Sequence, residues 1–160
     1  MKPAALLGLA LLLSCARPID GGVVVRYRQV TYSAVVPTAD LRAGEQVRVS
    51  WQPRDLAASA EPQAASIRLC AALVGPFASV EALKGRQAAG TPSCPADERG
   101  VAVRSDVLET DSREGRPQET WLFLPASLAA GYYDLVTIAT ATGGKGGDSM
   151  RAGSVVRVAP

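Results

Sequence analysis

The sequence contains no histidine, and only 5% of its 160 residues are aromatic. Without an imidazole, Ser-His-Asp and Cys-His catalysis are excluded, and so are metal sites that need a histidine ligand. The formal net charge is only +2, and the basic residues are scattered among 15 acidic ones, which argues against nucleic-acid binding. We therefore expect no enzymatic activity, no cofactor, no metal ion and no small-molecule substrate.

Long apolar runs are also missing, apart from one near the start of the chain. Ala4–Leu13 follows a lysine and precedes small residues at positions 14 to 16, which is the arrangement of a secretory signal peptide. The run is about half as long as a membrane-spanning helix requires. We predict that residues 1–16 are a signal peptide and that residues 17–160 form the mature domain. Leu12–Cys15 also resembles a bacterial lipobox, in which Cys15 would carry a lipid anchor, and this alternative stays open.

Two of the three cysteines, Cys70 and Cys94, lie in the predicted mature domain. In an exported chain such a pair most simply forms one structural disulfide. The spacing is not the close one of redox or metal-binding pairs. Apolar residues at positions 67, 69 and 71 alternate with Arg68 and Cys70, so that Cys70 is expected on the outer, polar face of a strand. The disulfide should then hold the segment between the cysteines against the outside of a sheet.

What the chain does contain is period-two alternation of apolar and polar residues. It is clearest in Glu45–Trp51, where Val47, Val49 and Trp51 are expected to face the core. Proline and glycine turn signals separate this segment from further strand candidates. These candidates are Val23–Val30, Tyr32–Val36, Ile67–Leu73, Gly100–Val107, Thr120–Leu124, Tyr132–Ala141 and Ser154–Ala159. We predict an all-β fold, an immunoglobulin-like β-sandwich of one domain.

Other patterns have local interpretations. Ala78–Lys84 predicts a short helix between the two mature cysteines, with Ser79 as its N-cap. Pro53–Ala65 is interpreted as a loop, and the glycine-rich run 143–148 as a hairpin loop, because it fits no phosphate-binding motif. Trp51 and Trp121 lie in alternating strands, which favours packing over ligand binding for both.

The order of these motifs resembles that of the accessory proteins of high-affinity nitrate transporters in plants and algae. Leu41–Glu45 resembles the family's Leu-Lys-Ala-Gly-Glu turn, and an alternating strand that ends at Trp51 follows it. A Leu-Cys pair at Cys70 comes next, with Cys94 at the family's cysteine separation. The segment from Pro125 through Gly131-Tyr132-Tyr133 resembles the family's Pro-x-Ala-x-Tyr segment and late strand. The likeness covers most of residues 30–158.

This resemblance implies a non-enzymatic partner protein at the extracytoplasmic face of the plasma membrane. Family members bind and stabilise a nitrate transporter of the major facilitator class and support nitrate uptake. On this basis we expect Glu81, Lys84 and Arg86, between the cysteines, to contact the transporter, although solvated loop charges explain them equally well. The alternative is a bacterial envelope lipoprotein with an immunoglobulin-like structural or adhesive domain.

Overall fold

The computed structural model is predominantly β-structure, with nine strands and one short helix among the residues that it describes. The described residues are 30–38, 40–55, 66–85, 92–113, 115–142 and 149–160. The strands are β1 (Val30–Val35), β2 (Leu41–Arg42), β3 (Gln46–Asp55), β4 (Ser66–Phe77), β5 (Val101–Arg104), β6 (Leu108–Asp111), β7 (Gln118–Phe123), β8 (Gly131–Thr142) and β9 (Ser149–Ala159). The helix α1 (Val80–Lys84) follows β4.

The strands form two sheets. The smaller sheet has three antiparallel strands in the order β1-β3-β7. The larger sheet has the order β2-β9-β8-β4-β5, and β6 pairs with the other half of β4. All of its pairings are antiparallel except that of β2 with β9, which is parallel.

A single core cluster draws buried side chains from both sheets, so the two sheets pack face to face. Trp51 is the largest of these side chains, and its Nε1–H donates a hydrogen bond to Thr120 Oγ1 at 3.0 Å. The indole therefore fills the core without leaving its polar atom unpaired. The cluster consists of Val30, Tyr32, Leu41, Val47, Val49, Trp51, Ile67, Leu69, Ala71, Leu73, Val103, Leu122, Leu124, Tyr133, Leu135, Ala139, Val156 and Val158.

Strand β3 confirms the alternation expected from the sequence. Val47, Val49 and Trp51 are buried, while Gln46 and Arg48 are exposed on the other face. Because β3 is the middle strand of the three-stranded sheet, its two faces define an inner face against the core and an outer face toward solvent.

The prediction for β4 is right in part. Its residues 67, 69, 71 and 73 face the core between the sheets, as expected, and Cys70 lies on the opposite face. That opposite face is not polar at Cys70, however. Cys70, Ala72 and Val74 are buried there in a second apolar cluster with Cys94 and Ala96 of the following segment. The larger sheet is thus covered on both faces at its centre, which explains the unbroken apolar run of β4.

The short helix occurs where it was predicted. Ser79 is its N-cap, and its hydroxyl accepts a hydrogen bond from the Ala82 N–H at 3.1 Å. Leu83 is the buried residue of α1. The positive-φ residue Gly75 precedes the helix at a register shift between β4 and β8, and a Cβ there would lie 2.9 Å from the Tyr133 ring. This approach restricts position 75 to glycine.

Other expectations differ from the structure at their boundaries. Strand β3 extends to Asp55, so the predicted loop Pro53–Ala65 is wrong for its first three residues. The predicted strand Gly100–Val107 ends at Arg104, and a separate strand, β6, follows. The signal peptide, most of Val23–Val30, residues 56–65 and the glycine-rich run 143–148 lie outside the described residues.

Candidate functional site

The segment between the cysteines contains the residues for which partner contacts were predicted. We call its described parts, residues 78–85 and 92–100, the disulfide lobe. Glu81 and Lys84 lie three residues apart on α1, and both are exposed. Hydrogen bonds to its own backbone N–H and to Ser79 lower the pKa of Glu81, and Lys84 adds a smaller attraction. The Glu81 carboxylate therefore also stabilises the start of the helix. Arg86 lies outside the described residues.

The predicted disulfide is present between Cys70 and Cys94, whose Cα atoms are 5.8 Å apart. It joins the middle of β4 to the lobe, and the apolar cluster around it buries both cysteines. The lobe is therefore attached to the outer face of the larger sheet by a covalent bond within a small core of its own.

An ion cluster fastens the same lobe a second time. Arg151 on β9 donates from Nε to Glu98 Oε1 at 2.8 Å and from a terminal nitrogen to Asp134 Oδ2 at 3.0 Å. The hydrogen bond to Glu98 is the main cause of the raised pKa of Arg151. The three side chains are at most 20% exposed, so that solvent weakens these pairs less than it weakens surface pairs.

A close approach at Gly153 belongs to this ion cluster. A Cβ at position 153 would lie 2.6 Å from Asp134 Oδ1, so a larger residue would displace the carboxylate from its position beside Arg151. Nearby, the Ser149 hydroxyl donates to the Pro92 carbonyl at 2.6 Å. Residues on both sides of Cys94 are thus held along β8 and β9 by charge, hydrogen bonds and packing together.

The outer face of the three-stranded sheet is entirely different. Trp121 and Phe123 of β7 point to solvent and are 40% and 60% exposed. Arg48 lies directly opposite Trp121 in the register of β3 and β7, and Val35 of β1 is exposed on the same face. We call Val35, Arg48, Glu119, Trp121 and Phe123 the aromatic face. Exposed aromatic side chains grouped in this way are typical of recognition surfaces.

The charges of the aromatic face neutralise each other. Arg48 forms an ion pair of 3.3 Å with Glu119, and both side chains are about half exposed. Solvent and salt screen such a pair strongly, so it contributes little to stability. Beside it, an open cleft of about 370 Å³ is lined by Val35, Val36, Pro37, Leu41, Glu45 and the β3 residues 46–48 and 50. The face therefore combines apolar surface with balanced charge.

The sequence did not reveal this face. Trp121 was expected to pack in the core, and this prediction is wrong, whereas it is confirmed for Trp51. In residues 120–124, Thr-Trp-Leu-Phe-Leu, nearly every position is apolar, so alternation cannot tell which residues face inward. The structure shows the direction through Thr120, which is buried and whose hydroxyl is the partner of Trp51, so that it lies on the inner face. Residues 121 and 123 alternate with it and lie on the outer face.

Among the described residues, no group of three or more Cys, Asp or Glu side chains is arranged to hold a metal ion. No helix in this part of the chain has the length and apolar character needed to cross a membrane. The two surfaces that stand out in the described part of the chain are the charged helix of the disulfide lobe and the aromatic face.

No protein-family model and no curated protein matches this chain.

Proposed function

We propose that this protein is a non-enzymatic accessory subunit with an immunoglobulin-like fold, which binds and stabilises a high-affinity nitrate transporter of the major facilitator class. It acts from the extracytoplasmic face of the plasma membrane and supports nitrate uptake, while the transporter carries the ion. The observation that carries the proposal is the Cys70–Cys94 disulfide, which holds a charged lobe against the outside of a sheet.

The strand order supports the immunoglobulin-like part of the proposal. The order β9-β8-β4-β5 corresponds to strands G, F, C and C′ of that fold, and β1-β3-β7 corresponds to A, B and E. The Tyr133 hydroxyl donates to the Ala129 carbonyl at 2.7 Å, near the start of β8. A tyrosine that bonds back to the backbone a few residues upstream, at the start of strand F, is the tyrosine corner of immunoglobulin-like domains.

The positions of the resembling motifs support the transporter part. The Leu41–Glu45 turn leads into β3, and the alternating residues of β3 include the buried Trp51. Cys70 lies in the middle of β4, and Gly131 to Tyr133 begin β8. The motifs that carry the resemblance are therefore structural elements of one core rather than scattered matches.

The disulfide gives a physical reason for the role in binding. A lobe that is fastened by a disulfide, an ion cluster and an apolar core loses little conformational entropy when it binds. Glu81 and Lys84 are exposed on this lobe and offer both signs of charge to a partner. Such charges set orientation and specificity more than affinity.

Co-expression tests the proposal. The full chain is expressed with a tagged high-affinity nitrate transporter from the same source, in cells without their own high-affinity uptake. We expect the chain to co-purify with the transporter and to increase both the transporter at the plasma membrane and the uptake of labelled nitrate. Lys84→Glu should weaken co-purification, and Lys84→Arg, which keeps the charge, should not. Equal uptake with and without the chain would refute the proposal.

The lipoprotein alternative predicts a different mature N-terminus. Mass spectrometry of the exported protein should find a free N-terminus near Arg17 if residues 1–16 are a cleaved signal peptide. A diacylglyceryl group on Cys15 would instead support an envelope lipoprotein with a structural or adhesive domain.

A further inference from the structure

Within the described part of the chain, one edge of strand β7 is paired with no other strand. The Leu124 N–H, directly after β7, donates to the Glu45 carbonyl at 2.9 Å, so Leu124 directs its backbone groups toward β3. Backbone groups alternate in direction along a strand, and the register continues without a shift through β7. Glu119, Trp121 and Phe123 therefore direct their N–H and C=O groups away from β3. Among the described residues, β3 is the strand to which β7 is hydrogen-bonded.

This edge lacks the features that usually prevent pairing with another chain. Natural edge strands carry lysines, prolines, bulges or inward-pointing charges. Strand β7 has neither lysine nor proline, and its one charge, Glu119, is paired with Arg48. In comparison, strand β9, whose outer edge pairs with the two-residue strand β2 at Val158 and Ala159, carries Arg151 and Arg157. Strand β7 is thus open to strand addition.

The side chains beside the edge indicate what would fit. A strand that joins β7 places alternate side chains next to Trp121 and Phe123, within contact distance across the new pairing. Both aromatic side chains are substantially exposed, and the nearest charges neutralise each other. A complementary segment is therefore extended and carries uncharged, apolar side chains at alternate positions.

We propose that the open edge of β7 binds an extended extracytoplasmic segment of the partner transporter by strand addition, with Trp121 and Phe123 as the side-chain platform. This inference rests on the proposed function. A second copy of the chain is the less suitable occupant, because six residues of strand fall far short of the roughly 20–30 residues per side of a stable interface. The transporter meets the disulfide lobe as well, and a tethered second contact of this kind needs little area of its own.

A proline at position 119 tests the backbone part of the proposal. The Glu119 N–H faces the open edge, so Glu119→Pro removes a donor from the edge and none from the ladder with β3. Glu119→Thr is the matched control, because it loses the same ion pair with Arg48 and keeps the N–H. The measurement is the affinity of each purified variant for the detergent-solubilised transporter, and thermal unfolding verifies that each variant is folded.

We expect Glu119→Pro to bind about tenfold more weakly than Glu119→Thr. Equal binding by the two folded variants would overturn the inference and leave the proposed function standing. If Glu119→Pro does not fold, the double variant Trp121→Thr, Phe123→Thr decides, with about tenfold weaker binding expected and unchanged binding overturning the inference. A wild-type dimer that becomes monomeric in the proline variant would assign the edge to a second copy instead. No capture by the wild type would refute the proposed function and this inference with it.

Discussion

The outer faces of the two sheets differ in how they are covered. On the larger sheet, the disulfide lobe buries Cys70, Val74 and Ile138, and the Arg151 ion cluster holds the lobe at its margin. On the three-stranded sheet, nothing among the described residues covers Trp121 and Phe123. The first face thus has the composition of a core, and the second has that of an interface.

This difference separates the residues that stabilise the fold from those of the proposed binding surface. Side chains that pack against the lobe contribute to the free energy of unfolding, because their burial occurs within the chain. The aromatic side chains of the open face contribute little until a partner covers them. Substitutions under the disulfide lobe should therefore lower the free energy of unfolding strongly. Substitutions on the aromatic face should change it little and should affect the proposed binding instead.

The largest effect is expected from removing the disulfide. The double variant Cys70→Ala, Cys94→Ala should lose about 2–5 kcal/mol of unfolding free energy, because the bond closes a loop with a sequence separation of 24 residues. Chemical denaturation measures the loss, with the open-face variant Phe123→Thr as the control. If the two variants were equally stable, the lobe would not be a second core.

The next largest effect is expected at the ion cluster. Arg151→Met removes the guanidinium that pairs with Glu98 and Asp134 and should cost about 2–4 kcal/mol at pH 7.

The control for the ion cluster is Arg104→Met, whose partner Asp97 is largely exposed. It should cost less than about 1 kcal/mol. Unfolding curves for both variants at pH 7 test the prediction, which fails if the two losses are equal.

The same substitution on both sides of the smaller sheet compares its faces directly. Trp51→Phe should cost about 2–3 kcal/mol, because it opens space in the core and leaves the Thr120 hydroxyl without its donor. Trp121→Phe should change stability by less than about 0.5 kcal/mol. Denaturant unfolding at equilibrium gives both values, and a large loss for Trp121→Phe would mean that this indole is packed in solution.

The smallest effect concerns an exposed ion pair. The side-chain hydrogen bond from Arg113, followed by its backbone N–H, lowers the pKa of Asp111 to about 2. Because the pKa of Asp111 is lower in the folded state than its unfolded value of 3.8, the carboxylate stabilises the folded protein above pH 3.8. This stabilisation is lost as the pH falls toward 2. Arg113→Ala should return the pKa of Asp111 toward 3.8 with little change in stability at pH 7, because the pair is exposed. An NMR titration of the Asp111 carboxyl would detect a failure to shift.

Sequence reasoning predicted best where local chemistry decides the structure. The alternation of Val47, Val49 and Trp51 located β3 and its buried face, and Ser79 located the start of α1. The disulfide followed from the presence of two cysteines in a chain thought to be exported. For β3 and α1 the signal lies within a few neighbouring residues. For the disulfide, the predicted mature domain has two cysteines and therefore one possible pairing.

Sequence reasoning failed where distant segments decide the structure. The face that contains Cys70 was expected to be polar, because nothing local indicates that Ala96 returns to cover it. Strand β2 has two residues and exists through its pairing with β9, more than 100 positions away. The outward direction of Trp121 could not be read from an almost uniformly apolar segment. The aromatic face therefore emerged only from the paired strands.

The hydrogen bond from Trp51 to Thr120 has a consequence for the neighbouring edge. It ties the middle of β7 to β3 from beneath, one residue from Trp121. Because this hydrogen bond fixes β7 relative to β3, β7 cannot shift its register when another strand pairs with it. A segment that binds as proposed must therefore align with the fixed positions of Glu119, Trp121 and Phe123. The conformational entropy lost on binding is then mainly that of the added segment, and β7 determines the register.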